Sequence, residues 1–112
     1  MRAHGAVASL ELGNPLVQAA LDDYHTAPIG EALRAALRFL EQLTLRPETV
    51  TPADILPLRA VGVTDQAIAD AILVCGLFSI MDRLADSFDF ALQTERGWRT
   101  SAEMLLKRGY RF

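Results

Sequence analysis

DQAIADAILVCGLFSIMDRLADSF, residues 65–88, is the stretch whose reading decides the fold. Thr64 precedes it, and a threonine hydroxyl there can accept from the free N–H groups of a first helical turn. Asp65 follows, where the positive end of the helix dipole favours a carboxylate. From Ala71 to Phe78 no side chain is polar. A surface helix shows one apolar stripe, whereas a run apolar on all sides belongs to a helix with neighbours all round. The run therefore predicts the central helix of a bundle, covered on every side. Its polar residues collect at the ends: Asp65, Gln66 and Asp70 before, Ser79, Asp82, Arg83 and Asp86 after.

Upstream of it, Thr51-Pro52-Ala53-Asp54 is a helix start, with an N-cap threonine, proline at the first position and a carboxylate placed for a capping box. That helix should run to about Val61 and stop at Gly62, with Pro57 kinking it or forcing an irregular turn. Residues 31–44 predict an amphipathic helix: Leu33, Ala36, Leu37, Leu40 and Leu43 fall on one stripe, and Arg34, Arg38 and Glu41 on the other. Pro47 ends it. Before that, Tyr24 to Gly30 is a loop holding His25. Asn14-Pro15 opens a short helix to about Asp23 that buries Leu16, Ala19, Ala20 and Val17. Residues 1–12 read as helix, with Val7, Leu10 and Ala3 on one face and Gly13 closing it. Beyond the central helix, Asp89 to Gln93 connects to a last helix. Thr94 caps that helix, which runs from Glu95 to about Arg108 with Trp98, Ala102 and Leu105 on one face and Gly109 at its end. No segment alternates with period two long enough to form a strand.

The chain has 112 residues, enough for one domain with a real core. Hydrophobic residues make up 51%, rich in Ala and Leu, which suits helices and points to apolar surface covered by another copy. The net charge of -3 argues against nucleic acid as a main partner. The basic residues gather late, on the last helix, where five of them read as a solvated face. The longest uncharged stretch, Ala71 to Met81, is far shorter than the roughly 20 residues of a membrane span. With no signal core either, a cytoplasmic protein without membrane contact is expected. A single cysteine excludes an internal disulfide, a CxxC pair and a cysteine-based zinc site, and no residue pattern asks for a metal or another cofactor.

Three blocks carry a resemblance: FLEQLTLRPETVTPADI (39–55), LRAVGVTDQAI (58–68) and FSIMDRLAD (78–86). In this order they resemble the carboxymuconolactone decarboxylase and alkyl hydroperoxidase D-like superfamily, especially its peroxidase-related branch. Ser79 stands where that pattern usually has Asn. The resemblance implies an all-α, alkyl hydroperoxidase D-like helical bundle of about six helices. The whole chain, 1–112, would be a single such domain lacking the first part of the family domain. It also implies a homo-oligomer and a thiol reductant as partners. The family's peroxidase chemistry resides in a CxxCxxxH helix, in which a thiolate attacks the peroxide, a second cysteine resolves the sulfenic acid and the histidine relays a proton. His4 matches that histidine. The second cysteine would fall immediately before Met1, so the resemblance implies a proton-relay role for His4 only where a dithiol is supplied upstream.

The remaining candidates each have a plainer reading. Cys75, within the apolar run and without a partner cysteine, is expected to be a buried, inert thiol. Asp82, Arg83 and Asp86 could form a polar site, but Arg83 and Asp86 have the spacing of an ordinary ion pair. His25 could be a ligand or base, although a lone loop histidine is most often solvated. Trp98 could stack on a ligand or simply pack in the core with Ala102 and Leu105. The expected function is a peroxidase-related protein that reduces hydroperoxides through a thiol pair in its full form and is inactive as these 112 residues. Two alternatives stay open: a non-catalytic helical oligomer or binding module, and a thiol-free lactone decarboxylase-like enzyme drawing its acid and base from residues such as His4 or Asp82.

Overall fold

Six α-helices make up the protein in its computed structural model, which describes residues 2–91 and 94–109. They are α1 (Arg2–Leu12), α2 (Asn14–Asp23), α3 (Glu31–Leu45), α4 (Leu56–Ala60), α5 (Asp65–Ser87) and α6 (Glu95–Arg108). Among the described residues there is no strand, so the all-α architecture of about six helices is as expected. Leu92, Gln93, the residues after Gly109 and the side chain of Ala3 lie outside the description. The chain divides into two compact units, Met1–Pro28 with Ala91–Phe112, and Ile29–Phe90.

In the first unit α1 packs on both α2 and α6. Gly13 turns the chain between α1 and α2 at φ 91°, a left-handed conformation that favours glycine. Gly13, rather than Asn14, occupies the N-cap of α2. The Asn14 side chain instead accepts from Ser9 Oγ at 3.2 Å, tying the end of α1 to the start of α2. Leu16, Val17, Ala19 and Ala20 are half-buried, as their spacing predicts. Asp23 closes α2 with an Asx-type turn: its carboxylate accepts from His25 N at 3.0 Å and from Thr26 Oγ1 at 2.8 Å. Thr94 Oγ1 accepts from Gly97 N at 3.2 Å, the cap expected of α6. Trp98, Ala102 and Leu105 share the inward face of that helix, and Ala102 is fully buried.

The second unit is built around Phe39, Leu58 and Ile68, with Ala35, Leu40, Leu43, Val50, Ile55 and Val63 packed against them. Phe39 was absent from the expected apolar stripe of α3, and Leu33, a member of it, is 49% exposed. The helix has apolar residues on two adjoining stripes. Ala36, Leu37, Leu40 and Leu43 of the expected stripe are half-buried, and the most buried residue, Phe39, stands beside that stripe where α4 and the start of α5 fold back. Thr51 and Pro52 begin a 3₁₀ turn, Pro52–Ile55, and α4 starts only at Leu56. Pro57 explains the break, since it has no N–H to donate to the carbonyl four residues back. Gly62, at φ 86°, ends this segment. Thr64 Oγ1 then accepts from Ala67 N at 3.1 Å and starts α5 as expected.

Two carboxylates fix this turn region. Asp54 Oδ2 accepts from the backbone N–H of Thr51 at 2.6 Å and from its hydroxyl at 2.9 Å. Asp65 takes both Arg59 Nε at 2.7 Å and Nη2 at 2.9 Å, a two-pronged pair. The backbone and then the side-chain hydrogen bond from Thr51 hold Asp54 below its ordinary 3.8. The Arg59 hydrogen bond does the same for Asp65. A carboxyl depressed by folding contributes stability that is complete above its ordinary pKa and is lost as pH falls through the lowered folded value. The thermal midpoint should therefore drop as the medium is acidified below about pH 4, and drop less steeply in Asp54→Asn. An unchanged acid limb in that variant would remove Asp54 from the account.

The largest departure from expectation is α5. It packs on α3 through one side only, where Ile68 is buried and Ala71, Cys75 and Phe78 are half-buried. The opposite side is open: Leu73 is 62% exposed, Leu77 55%, Ile80 57% and Leu84 40%. The second unit therefore supplies a neighbour for one side of α5 and not the expected cover on every side.

Candidate functional site

His4 lies one turn into α1 in the first unit and is exposed. Cys75 lies in the middle of α5 in the second unit. The thiol is half-buried rather than buried, and its Sγ meets Thr44 Oγ1 of α3 at 3.3 Å. The correction follows from the one-sided packing of α5. Activation of a thiol needs a nearby cation or a helix N-terminus. Cys75 has a hydroxyl beside it and sits almost three turns from the start of its helix. A maleimide at neutral pH should therefore label Cys75 slowly in the native protein and rapidly in denaturant. Equal rates in both would show an exposed or activated thiol.

Arg83 turns back on its own helix, where Nη1 donates to Ser79 O at 3.2 Å. No Arg83–Asp86 pair forms among the described residues, and Asp82, Arg83 and Asp86 are all exposed. They make no enclosed polar site. His25 sits in the Asp23 turn with its ring against Tyr24, centroids 4.1 Å apart. No group of three or more His, Cys, Asp or Glu able to hold a metal ion occurs among the described residues.

A groove of about 1010 Å³ lies within the first unit. Gly5 and Ser9 of α1, Val17 and Leu21 of α2, and Trp98 and Arg99 of α6 contribute to its walls, and Arg96 joins them. A Cβ at Gly5 would meet Leu21 Cδ1 at 4.0 Å, an ordinary van der Waals contact. Trp98 Nε1 is buried with no acceptor among the described residues. Arg99 Nε reaches Glu103 at 3.4 Å, a long and exposed contact. Among the described residues that line the groove are the polar side chains of Ser9, Asn14 and Gln18 and no His, Cys, Asp or Glu. Its apolar walls and two guanidinium groups suit an apolar molecule with an anionic end.

The sequence reading treated Arg96 and Arg99 as part of a solvated face and gave Trp98 two alternatives. Trp98 is half-buried on the side of Ala102, in line with the packing alternative, and it also lines the groove. The signal that could have found the groove is the Arg-x-Trp-Arg spacing at residues 96–99, which sets two cations around an indole on one helix turn.

Compared with protein-family models and with curated proteins, the sequence finds no match.

Proposed function

We propose that this chain is a peroxidase-related relative of the carboxymuconolactone decarboxylase superfamily whose 112 residues hold no peroxidase activity of their own. One observation carries the kinship. The first two blocks of the resemblance, 39–55 and 58–68, begin or end on Phe39, Leu58 and Ile68, the three buried residues of the second unit's core. The blocks thus include the three buried residues of the second unit's core. The inactivity rests on the thiol count: peroxide reduction by this chemistry consumes two thiols per turnover, and the sequence has one cysteine. The test is peroxide consumption with a dithiol reductant. The expected rate equals that of the reductant alone, and dithiol-dependent turnover above it overturns the proposal.

The groove favours a second reading, a non-catalytic binding module. Trp98 is the chain's single tryptophan and lines the groove, so its fluorescence reports on occupancy. Titration with a medium-chain carboxylate should change that fluorescence saturably. Arg99→Gln should weaken binding by about tenfold, the value of one charge-assisted hydrogen bond. A flat titration rules this reading out.

A further inference from the structure

We infer that the groove of the first unit takes a single-chain phosphate monoester, a doubly charged head on an apolar tail. The inference rests on the reading of the groove as a binding site and names the chemical class that fits it. Every described residue lining the groove belongs to the first unit. At about 1010 Å³ the groove stands at the upper end of ligand-pocket size, roughly 300–1,000 Å³.

Two cations set the head. Arg96 and Arg99 stand three residues apart on α6, a spacing that brings their Cβ atoms to about 5–6 Å on one face of the helix. Arg99 has its exposed contact with Glu103 at 3.4 Å. The Arg96 side chain has no hydrogen bond or ion pair among the described residues. Like charges at this spacing repel, and no described lining residue is a carboxylate that would offset them. The local charge also runs against the chain's net charge of -3. A carboxylate has two oxygens, and one guanidinium fork satisfies both, which leaves the second arginine over. A phosphate monoester carries about two negative charges above neutral pH and three acceptor oxygens, so it can engage both forks at once.

The walls set the tail. Val17 and Leu21 of α2 and the Trp98 indole are apolar. Trp98 Nε1 is buried, so the ring offers the groove its carbon surface rather than its N–H. Of the neutral polar residues in the lining, Ser9 donates to Asn14 and Gln18 to Asp22. An alkyl chain matches this lining better than a sugar or a base, which would need polar partners along its length.

The test is Trp98 fluorescence of the intact 112-residue protein, titrated with decyl phosphate, decanoate, inorganic phosphate and phosphatidylcholine vesicles carrying phosphatidic acid. The single-chain probes are kept below their aggregation concentrations, at about pH 7.5, above the second phosphate pKa of roughly 6. Decyl phosphate should saturate and bind about tenfold more tightly than decanoate, the value of one further charge-assisted pair. Inorganic phosphate, without a tail, should bind more weakly than either. Arg96→Gln should bring decyl phosphate to the decanoate level, and Arg108→Gln, on the same helix outside the groove, should change neither. Equal native affinities for decyl phosphate and decanoate overturn the inference and leave the groove reading standing. No saturable binding of either overturns both. A response to the vesicles with none to monomeric decyl phosphate also overturns the inference. A steric variant places the ligand. Gly5 lines the groove with no Cβ clash, so Gly5→Leu adds bulk there in a residue that favours a helix. It should abolish decyl phosphate binding with helical circular dichroism retained. Undiminished binding in that variant overturns the inference, and Arg96→Gln decides the matter if Gly5→Leu does not fold.

Discussion

Joined in register behind a helix ending in CxxC, the chain should gain dithiol-dependent peroxide reduction, and His4→Ala should lower the gained rate by roughly 10²-fold or more. The resemblance places the second cysteine immediately before Met1, four residues ahead of His4. On a continuous helix, residues four apart share a face, so the imidazole would stand beside the thiol it serves. His4 is exposed on α1, so the substitution costs the fold little. Register supplies the internal control. One residue inserted between the dithiol and Met1 turns the thiols by about 100° around the helix. The inserted protein should keep its cysteines and its α1, yet lose activity to the level of His4→Ala. If the in-register and inserted proteins reduce peroxide equally, His4 is no relay.

Phe39→Ala should destabilise the protein by about 3–5 kcal/mol, the usual cost of emptying a buried phenylalanine site. Phe39 is 5% exposed and touches the other two buried side chains of its unit, Leu58 and Ile68. A loss of that size is a large part of the total stability of a small domain, so much of the second unit's helix content should melt near body temperature. Leu33→Ala on the same helix should change stability by less than about 0.5–1 kcal/mol, because that side chain is half in water. Urea denaturation followed by circular dichroism distinguishes the two. Similar losses at both positions would mean that Leu33 belongs to the core as much as Phe39 does.

The difference between Phe39 and Leu33 shows where a one-dimensional reading stops. The features that were legible are local. Thr64 and Thr94 cap their helices, Asp54 folds back on Thr51, and Gly62 and Gly109 take positive φ at helix ends. Each depends on residues within one turn of one another. The stripe of α3 that is buried depends instead on where α4 and α5 return, and no periodicity within residues 31–45 contains that information. The apolar run of α5 predicted cover on every side, and within its unit the helix is covered on one side only, because hydrophobicity does not name the neighbour. The groove was the least legible feature. Its walls come from residues 5–21 and 96–99, segments far apart in sequence, and only the Arg-x-Trp-Arg spacing of the second hints at a site. Cys75 was misjudged for the same reason as α5, since its burial follows from the side of the helix it stands on.

The central functional claim is that Cys75 cannot stand in for a peroxidatic pair. Intact-mass measurement of the native chain, first with peroxide and then with a dithiol, tests it most directly. The account predicts an unmodified Cys75 after stoichiometric peroxide, with the peroxide still present. A Cys75 that gains one oxygen, returns to the thiol when the dithiol is added and consumes further peroxide on each cycle would contradict it.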